Sequence, residues 1–128
     1  MSKKVLLTGV AGFIGAHTLQ HFLENTDWEL YGIDSLEHKG DHRRIDQVMS
    51  KDHSWEKRFT FLKQDLAKAD PKELAQWLPK VDYIINLAAE SHVDRSIDDP
   101  VPFIQNNVNL VLNMLEYAHR KTQELCPD

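Results

Sequence analysis

Four short apolar runs recur along the chain: VLL (Val5–Leu7), ELYGI (Glu29–Ile33), FTFL (Phe59–Leu62) and YIINL (Tyr83–Leu87), each followed by a helical pattern. The runs are almost continuously apolar instead of alternating with polar residues. Strands of that kind are covered on both faces, as happens where helices lie above and below a parallel sheet. Strands alternating with helices need crossover connections, and those are right-handed. The expected class is therefore α/β: a doubly wound parallel sheet of about four strands, ordered 3-2-1-4, with residues 1–128 as one domain.

The connecting segments carry helix signals. In DPKELAQWL, Asp70 can cap, Pro71 suits the first turn and Glu73 can complete a capping box. MSKDHSWEKR reads as the flexible connection of the chain. From Pro100 to Lys121 two apolar stripes run at helical spacing, one through Ile104, Val108, Val111, Leu115 and Ala118, the other through Phe103, Leu110, Met114 and Tyr117. A helix apolar on two sides needs two burial partners. The sheet is one, and a neighbouring element or a second subunit is the other.

Composition removes several function classes. A net charge of -5 leaves no dominant basic face for nucleic acid. The one basic cluster, HKGDHRR (His38–Arg44), contains an acid and reads as a solvated loop or helix end. No apolar stretch approaches the roughly 20 residues that cross a bilayer. The single cysteine, Cys126, permits no internal disulfide, which fits a cytoplasmic protein. His38 and His42 are four apart without a third ligand, so no metal site is expected.

The chemistry starts at TGVAGFIG (Thr8–Gly15), between the first strand and a helix. Its Gly9, Gly12 and Gly15 permit a tight turn, a close approach of backbone to a pyrophosphate, and close helix packing. The free amides of that helix mouth, near Phe13 and Ile14, can donate to phosphate oxygens. Asp34 ends the second strand about 20 residues later, where an acid receives the adenosine ribose hydroxyls. A carboxylate there repels a 2′-phosphate and Ser35 supplies no countercharge, which favours NAD over NADP. His38, Lys39 and the arginines beyond lie close in sequence.

After the third strand Asp65 suits either an adenine contact or a helix cap. After the fourth comes NLAAESHVDRS, where small Ala88 and Ala89 let backbone lie against a cofactor. Glu90, Ser91 and His92 would project into the crevice beyond the strand ends. Asp94 and Arg95 read as a structural pair or cap.

The glycine pattern, NLAAESHVDRS, DDP and FIQNNV together resemble the extended short-chain dehydrogenase/reductase family, the NAD-dependent epimerases and dehydratases with a Rossmann-type sheet. AAESHVDRS followed by DDPVPFIQNNV is most similar to the branch that 4,6-dehydrates a dTDP- or related nucleotide-activated hexose; 4-epimerases and uronate decarboxylases are the alternative within the family, and a non-catalytic NAD-binding module is the alternative outside it. The resemblance covers almost the whole chain. It implies cofactor contacts for Phe13, Ile14, Asp34, Asp65, Leu66, Leu87, Ala88, Ala89, Glu90, Ser91 and Asn106. Ser91 and His92 would border the sugar, and Asn107 matches an Asn that bends the helix or organises the active site. A homodimer through the Pro100–Lys121 helix is implied as well.

There are departures from the family pattern. Asn86 stands where the family often has His, Leu110 and Val111 replace a Gly-Thr, and DSLEHKGD keeps only Gly40 of the usual loop. The family's chemistry uses a Tyr-x-x-x-Lys pair with a Ser or Thr, and the dehydratases add an Asp-Glu pair. All are expected beyond this chain's end, leaving no catalytic residue within it. Tyr117 and Lys121 match the spacing, but no strand intervenes after Asn107, and Tyr117 belongs to an apolar stripe. Asp98 and Asp99 read as helix caps before Pro100.

Overall fold

The computed structural model describes residues 2–37, 40–89 and 97–125, with side chains as far as 122. The expectations for His38, Lys39, Glu90, Ser91, His92, Asp94, Arg95 and Cys126 fall outside those residues. The chain packs as two compact units, Met1–Gln64 with Lys80–Ala88, and Asp65–Pro79 with Ala89–Asp128.

The first unit holds the sheet. Strands β1 (Lys4–Thr8), β2 (Glu29–Asp34), β3 (Phe59–Lys63) and β4 (Tyr83–Asn86) are all parallel, in the order β3-β2-β1-β4. This is the expected order. Val5 pairs with Leu30 on one side and Tyr83 on the other, and Thr8 lies opposite Ile33 and Asn86. The strand order reverses between β1 and β4, so the topological switch point lies at the ends of these strands, at Thr8 and Asn86.

Helices α1 (Phe13–Asn25) and α2 (His42–Met49) belong to the same unit. Leu19 and Leu23 of α1, Ile45 and Val48 of α2, and Val5, Leu7 and Leu30 of the strands form one core. Asp41 caps α2, its side chain accepting from the Arg43 amide, so residues 41–44 of the basic cluster form a helix end, one of the two expected readings.

MSKDHSWEKR is a correction. After α2 it forms a 3-10 helix, His53–Lys57, whose Trp55 is buried in the core. Arg58 then donates to the carbonyls of Leu23, Thr26 and Trp28 (2.7 to 3.1 Å). The segment's polarity hid one tryptophan and one arginine whose partners are about 30 residues away in sequence.

In the second unit α3 (Pro71–Trp77) is capped by Asp70 through the Lys72 amide, with Pro71 in its first turn, and it packs on α4 (Pro100–Leu125). Phe103, Leu110, Met114 and Tyr117 are buried, whereas Ile104, Val108, Val111 and Leu115 are exposed. The Tyr117 ring is inaccessible and its hydroxyl donates to the Pro79 carbonyl (3.1 Å), a packing role.

Candidate functional site

Gly9 leaves β1 at φ +71, in the left-handed region that a side chain opposes. A Cβ there would stand 2.8 Å from the Ala88 nitrogen, so the turn lies backbone-to-backbone against the end of β4. The Gly9 amide donates to the Ile33 carbonyl (2.8 Å) and its own carbonyl accepts from Gly12 (3.1 Å). Gly15 is more constrained. A Cβ on it would lie 1.9 Å from the Gly9 oxygen, so α1 begins in direct contact with the turn. The close packing expected of Gly15 is thus against the turn, at Gly9 and Val10.

At the mouth of α1, Gly12 is an N-cap with no side-chain hydrogen bond, and no acid occupies the first turn. The first-turn amides, Phe13 and Ile14 among them, therefore lack a carboxylate that would compete with an anion. Both residues are well exposed. The Phe13 ring packs edge-on against His17 and lines a groove of about 460 Å³ between α1 and α2.

Asp34 is buried at the end of β2 and turned towards the glycine turn. Its Oδ2 accepts from the Ala11 amide (2.9 Å) and its Oδ1 from the Leu36 amide (2.8 Å). A carboxylate has about four acceptor positions, so two remain for hydroxyl donors. Leu36 takes φ +61 to present that amide. Ser35 turns back to accept from the Glu37 amide (3.2 Å).

Among the described residues of the neighbourhood, Arg43 and Arg44 are both engaged. Arg43 grips Asp41 through Nε and Nη2 (2.8 Å for the shortest contact), and this bond holds the Asp41 carboxyl at about 2 instead of its ordinary 3.8. Arg44 donates from Nη1 to the Ala11 carbonyl (2.9 Å), which also accepts from the Asp41 amide (3.1 Å). The Ala11 peptide is thus fixed at both ends, by Asp34 on its N–H and by Arg44 and Asp41 on its oxygen.

Thr8 builds the other wall. Its buried hydroxyl donates to Asn86 Oδ1 and accepts from the Leu87 and Ala88 amides (3.1 Å each). These bonds end β4 at Asn86, one residue earlier than expected, and hold Leu87 and Ala88 beside Gly9. Asn86, a departure from the family pattern, is therefore an acceptor for the strand-end threonine. Thr8 and Arg44 were missed by sequence reasoning. A polar residue closing a buried strand was the available signal for Thr8, and Arg44 had none.

In the second unit Asp65 Oδ1 accepts from the Ala67 amide (3.0 Å), closing a turn and not capping a helix; the cap of α3 is Asp70. Leu66 is buried and its carbonyl accepts from Asn113 (2.6 Å), while Asn106 is half-buried and Ala89 is exposed. Among the described residues no three His, Cys, Asp or Glu side chains gather as a metal site, and no helix is long and apolar enough to cross a membrane.

Comparison with known proteins agrees with this arrangement. The family model of GDP-mannose 4,6 dehydratase matches residues 6–126. The chain belongs to that family. A dTDP-glucose 4,6-dehydratase of Neisseria meningitidis serogroup B is 36% identical over 127 residues, covering 96% of this chain and 33% of its own. Among solved structures, a double mutant of dTDP-glucose 4,6-dehydratase from Streptomyces venezuelae, with NAD bound, is 34% identical with TM-score 0.76. It covers 89% of this chain and 35% of its own. The UDP-Glc/GlcNAc 4-epimerase of Campylobacter jejuni is 31% identical with TM-score 0.79, covering 94% and 35%. The chain thus spans about a third of the length of the family members it matches. The likeness to these structures makes the fold Rossmann-type, and the family is one of enzymes.

Proposed function

We propose that this chain is the NAD-binding part of a nucleotide-sugar 4,6-dehydratase acting on a dTDP-activated hexose. The observation that carries the reading is Asp34 seated on the glycine turn beside a helix mouth free of side-chain caps. In this reading the Phe13 and Ile14 amides donate to the diphosphate, whose charge the helix dipole favours. The two remaining acceptor positions of Asp34 take the adenosine ribose hydroxyls. Leu87 and Ala88, held by Thr8, offer small backbone-lined contact at the nicotinamide side. Asp65, Leu66, Ala89, Glu90, Ser91 and Asn106 enter as cofactor contacts, and Ser91 with His92 as sugar contacts, through the family resemblance.

Bound NAD supplies a hydride acceptor that later returns the hydride to the sugar. The part of these residues is to hold that acceptor and to select it. Arg43 is committed to Asp41 and Arg44 to the Ala11 carbonyl, which supports NAD over its 2′-phosphorylated form. The relatives named dTDP-glucose 4,6-dehydratase support the sugar nucleotide, and the 4-epimerase structures favour epimerisation as the second reading. We read residues 1–128 as one cytoplasmic NAD-binding domain whose exposed α4 stripe pairs with a second copy.

Calorimetry of the chain with NAD and with NADP tests the cofactor. Binding of NAD at least about tenfold tighter than NADP is expected, a difference of about 1.4 kcal/mol. No heat with either ligand on folded protein would overturn the reading. For the reaction, a protein carrying this chain together with the family's Tyr-x-x-x-Lys segment, incubated with dTDP-glucose, should yield a 4-keto-6-deoxy sugar; interconversion at C4 without water loss would favour the epimerase.

A further inference from the structure

Gly40 needs no positive φ, yet a Cβ on it would lie 2.4 Å from Asp34 Oδ1. That oxygen is not the end of a freely moving side chain. It is held by the Leu36 amide at 2.8 Å, and its partner oxygen by the Ala11 amide at 2.9 Å. Asp34 can make room for a side chain at position 40 only by giving up one of these bonds. Gly40 is itself fixed there, its amide donating to the Glu37 carbonyl (3.1 Å), and the next residue's amide donates to Ala11. The chain thus passes behind the carboxylate at a distance that only glycine allows.

We propose that Gly40 is a specificity-determining residue: lacking a side chain, it keeps the Asp34 carboxylate seated on the glycine turn, where it accepts ribose hydroxyls and excludes a 2′-phosphate. The inference rests on the NAD reading above for the ligand, though not for the contact itself. A displaced carboxylate loses its aim at a diol before it loses its charge, so NAD binding suffers more than NADP binding.

The experiment is a double-mutant cycle on the full chain with Gly40→Ala and Asp34→Ala, read by calorimetry with NAD and NADP and by thermal unfolding. Gly40→Ala alone should weaken NAD about tenfold, narrow the NAD-to-NADP ratio and lower Tm. In the Asp34→Ala background, where no carboxylate obstructs the new methyl, Gly40→Ala should change neither NAD binding nor, beyond about a degree, Tm. A Gly40→Ala chain that fails to fold while the double variant folds supports the contact. Equal losses in both backgrounds, or unchanged NAD binding by Gly40→Ala, would overturn it. If the unmodified chain binds no NAD, the cofactor reading fails, and the Tm cycle still reports whether Gly40 acts through Asp34.

Discussion

Residue by residue, the glycines of the turn are not equivalent, and their neighbours say which one the fold requires. Alanine in place of a helical glycine ordinarily gains about 1 kcal/mol. At Gly15 that gain is opposed by a methyl placed 1.9 Å from a backbone oxygen, which forces the helix away from the turn. Overpacking typically costs about 1–3 kcal/mol and occasionally more, and a methyl driven into backbone lies at the upper end, so the clash wins. Gly15→Ala should lower the unfolding free energy by roughly 2 kcal/mol or more in urea titration. Gly12→Ala, whose methyl would meet the Gly9 oxygen at 3.3 Å, should unfold near the unmodified chain. A stable Gly15→Ala protein would mean that the turn and α1 are not in contact. The spacing of these glycines was legible in the sequence, because a strand, a turn and a helix mouth impose it locally. The closeness of Gly40 to Asp34 and the three bonds of Thr8 were not, because they depend on where separate segments meet.

Individual elements are completed by residues from outside them. Helix α1 has no basic residue in its last turn, and Arg58 supplies the charge from the approach to β3 by donating to the Leu23 and Thr26 carbonyls. Removing it strands those carbonyls and unpins the Trp55 segment. Arg58→Ala should cost about 2 kcal/mol, and Arg58→Lys should recover only part, since an ammonium cannot span three carbonyls as a guanidinium fork does. Chemical denaturation of the two variants checks this; equal stability for all three chains would refute the cap. At the other end of the sheet, Arg43 holds the Asp41 carboxyl at about 2. A group depressed on folding contributes stability that is present above its unfolded value of 3.8 and disappears as pH falls towards about 2. Titration of the Asp41 carboxyl by NMR should show that low midpoint, and Arg43→Ala should return it towards the ordinary carboxylate range. The strands were readable from their apolar runs and the parallel sheet from their alternation with helices, while the order 3-2-1-4 came with the family resemblance. The His53–Lys57 turn was not, since only the folded core gives Trp55 somewhere to go.

For the whole molecule, the two stripes of α4 have different fates. The stripe through Phe103, Leu110, Met114 and Tyr117 is buried, and the sequence had already separated it from the other. Along the second, Ile104, Val108, Val111 and Leu115 expose between 48 and 64% of their surface, with Val101 and Leu112 exposed beside them. Single exposed apolar side chains are ordinary, but a run of them at helical spacing makes a patch of the kind that drives association. The proposed homodimer would cover it with a second copy of the same helix, because a two-fold axis sets an apolar stripe on its own image and no new chemistry is needed. The net charge of -5 does not oppose this strongly at physiological salt, where exposed charges more than about 8 Å apart are largely screened. The chain should therefore sediment as a dimer at micromolar concentration. Val108→Glu with Leu115→Glu puts two carboxylates into the contact and should give a monomer without loss of helical signal, because neither residue supports the buried stripe. NAD binding should survive in that variant, since Asp34 and the mouth of α1 belong to the other packing unit. A monomer before mutation, or a dimer that persists after it, would place the contact elsewhere on the surface.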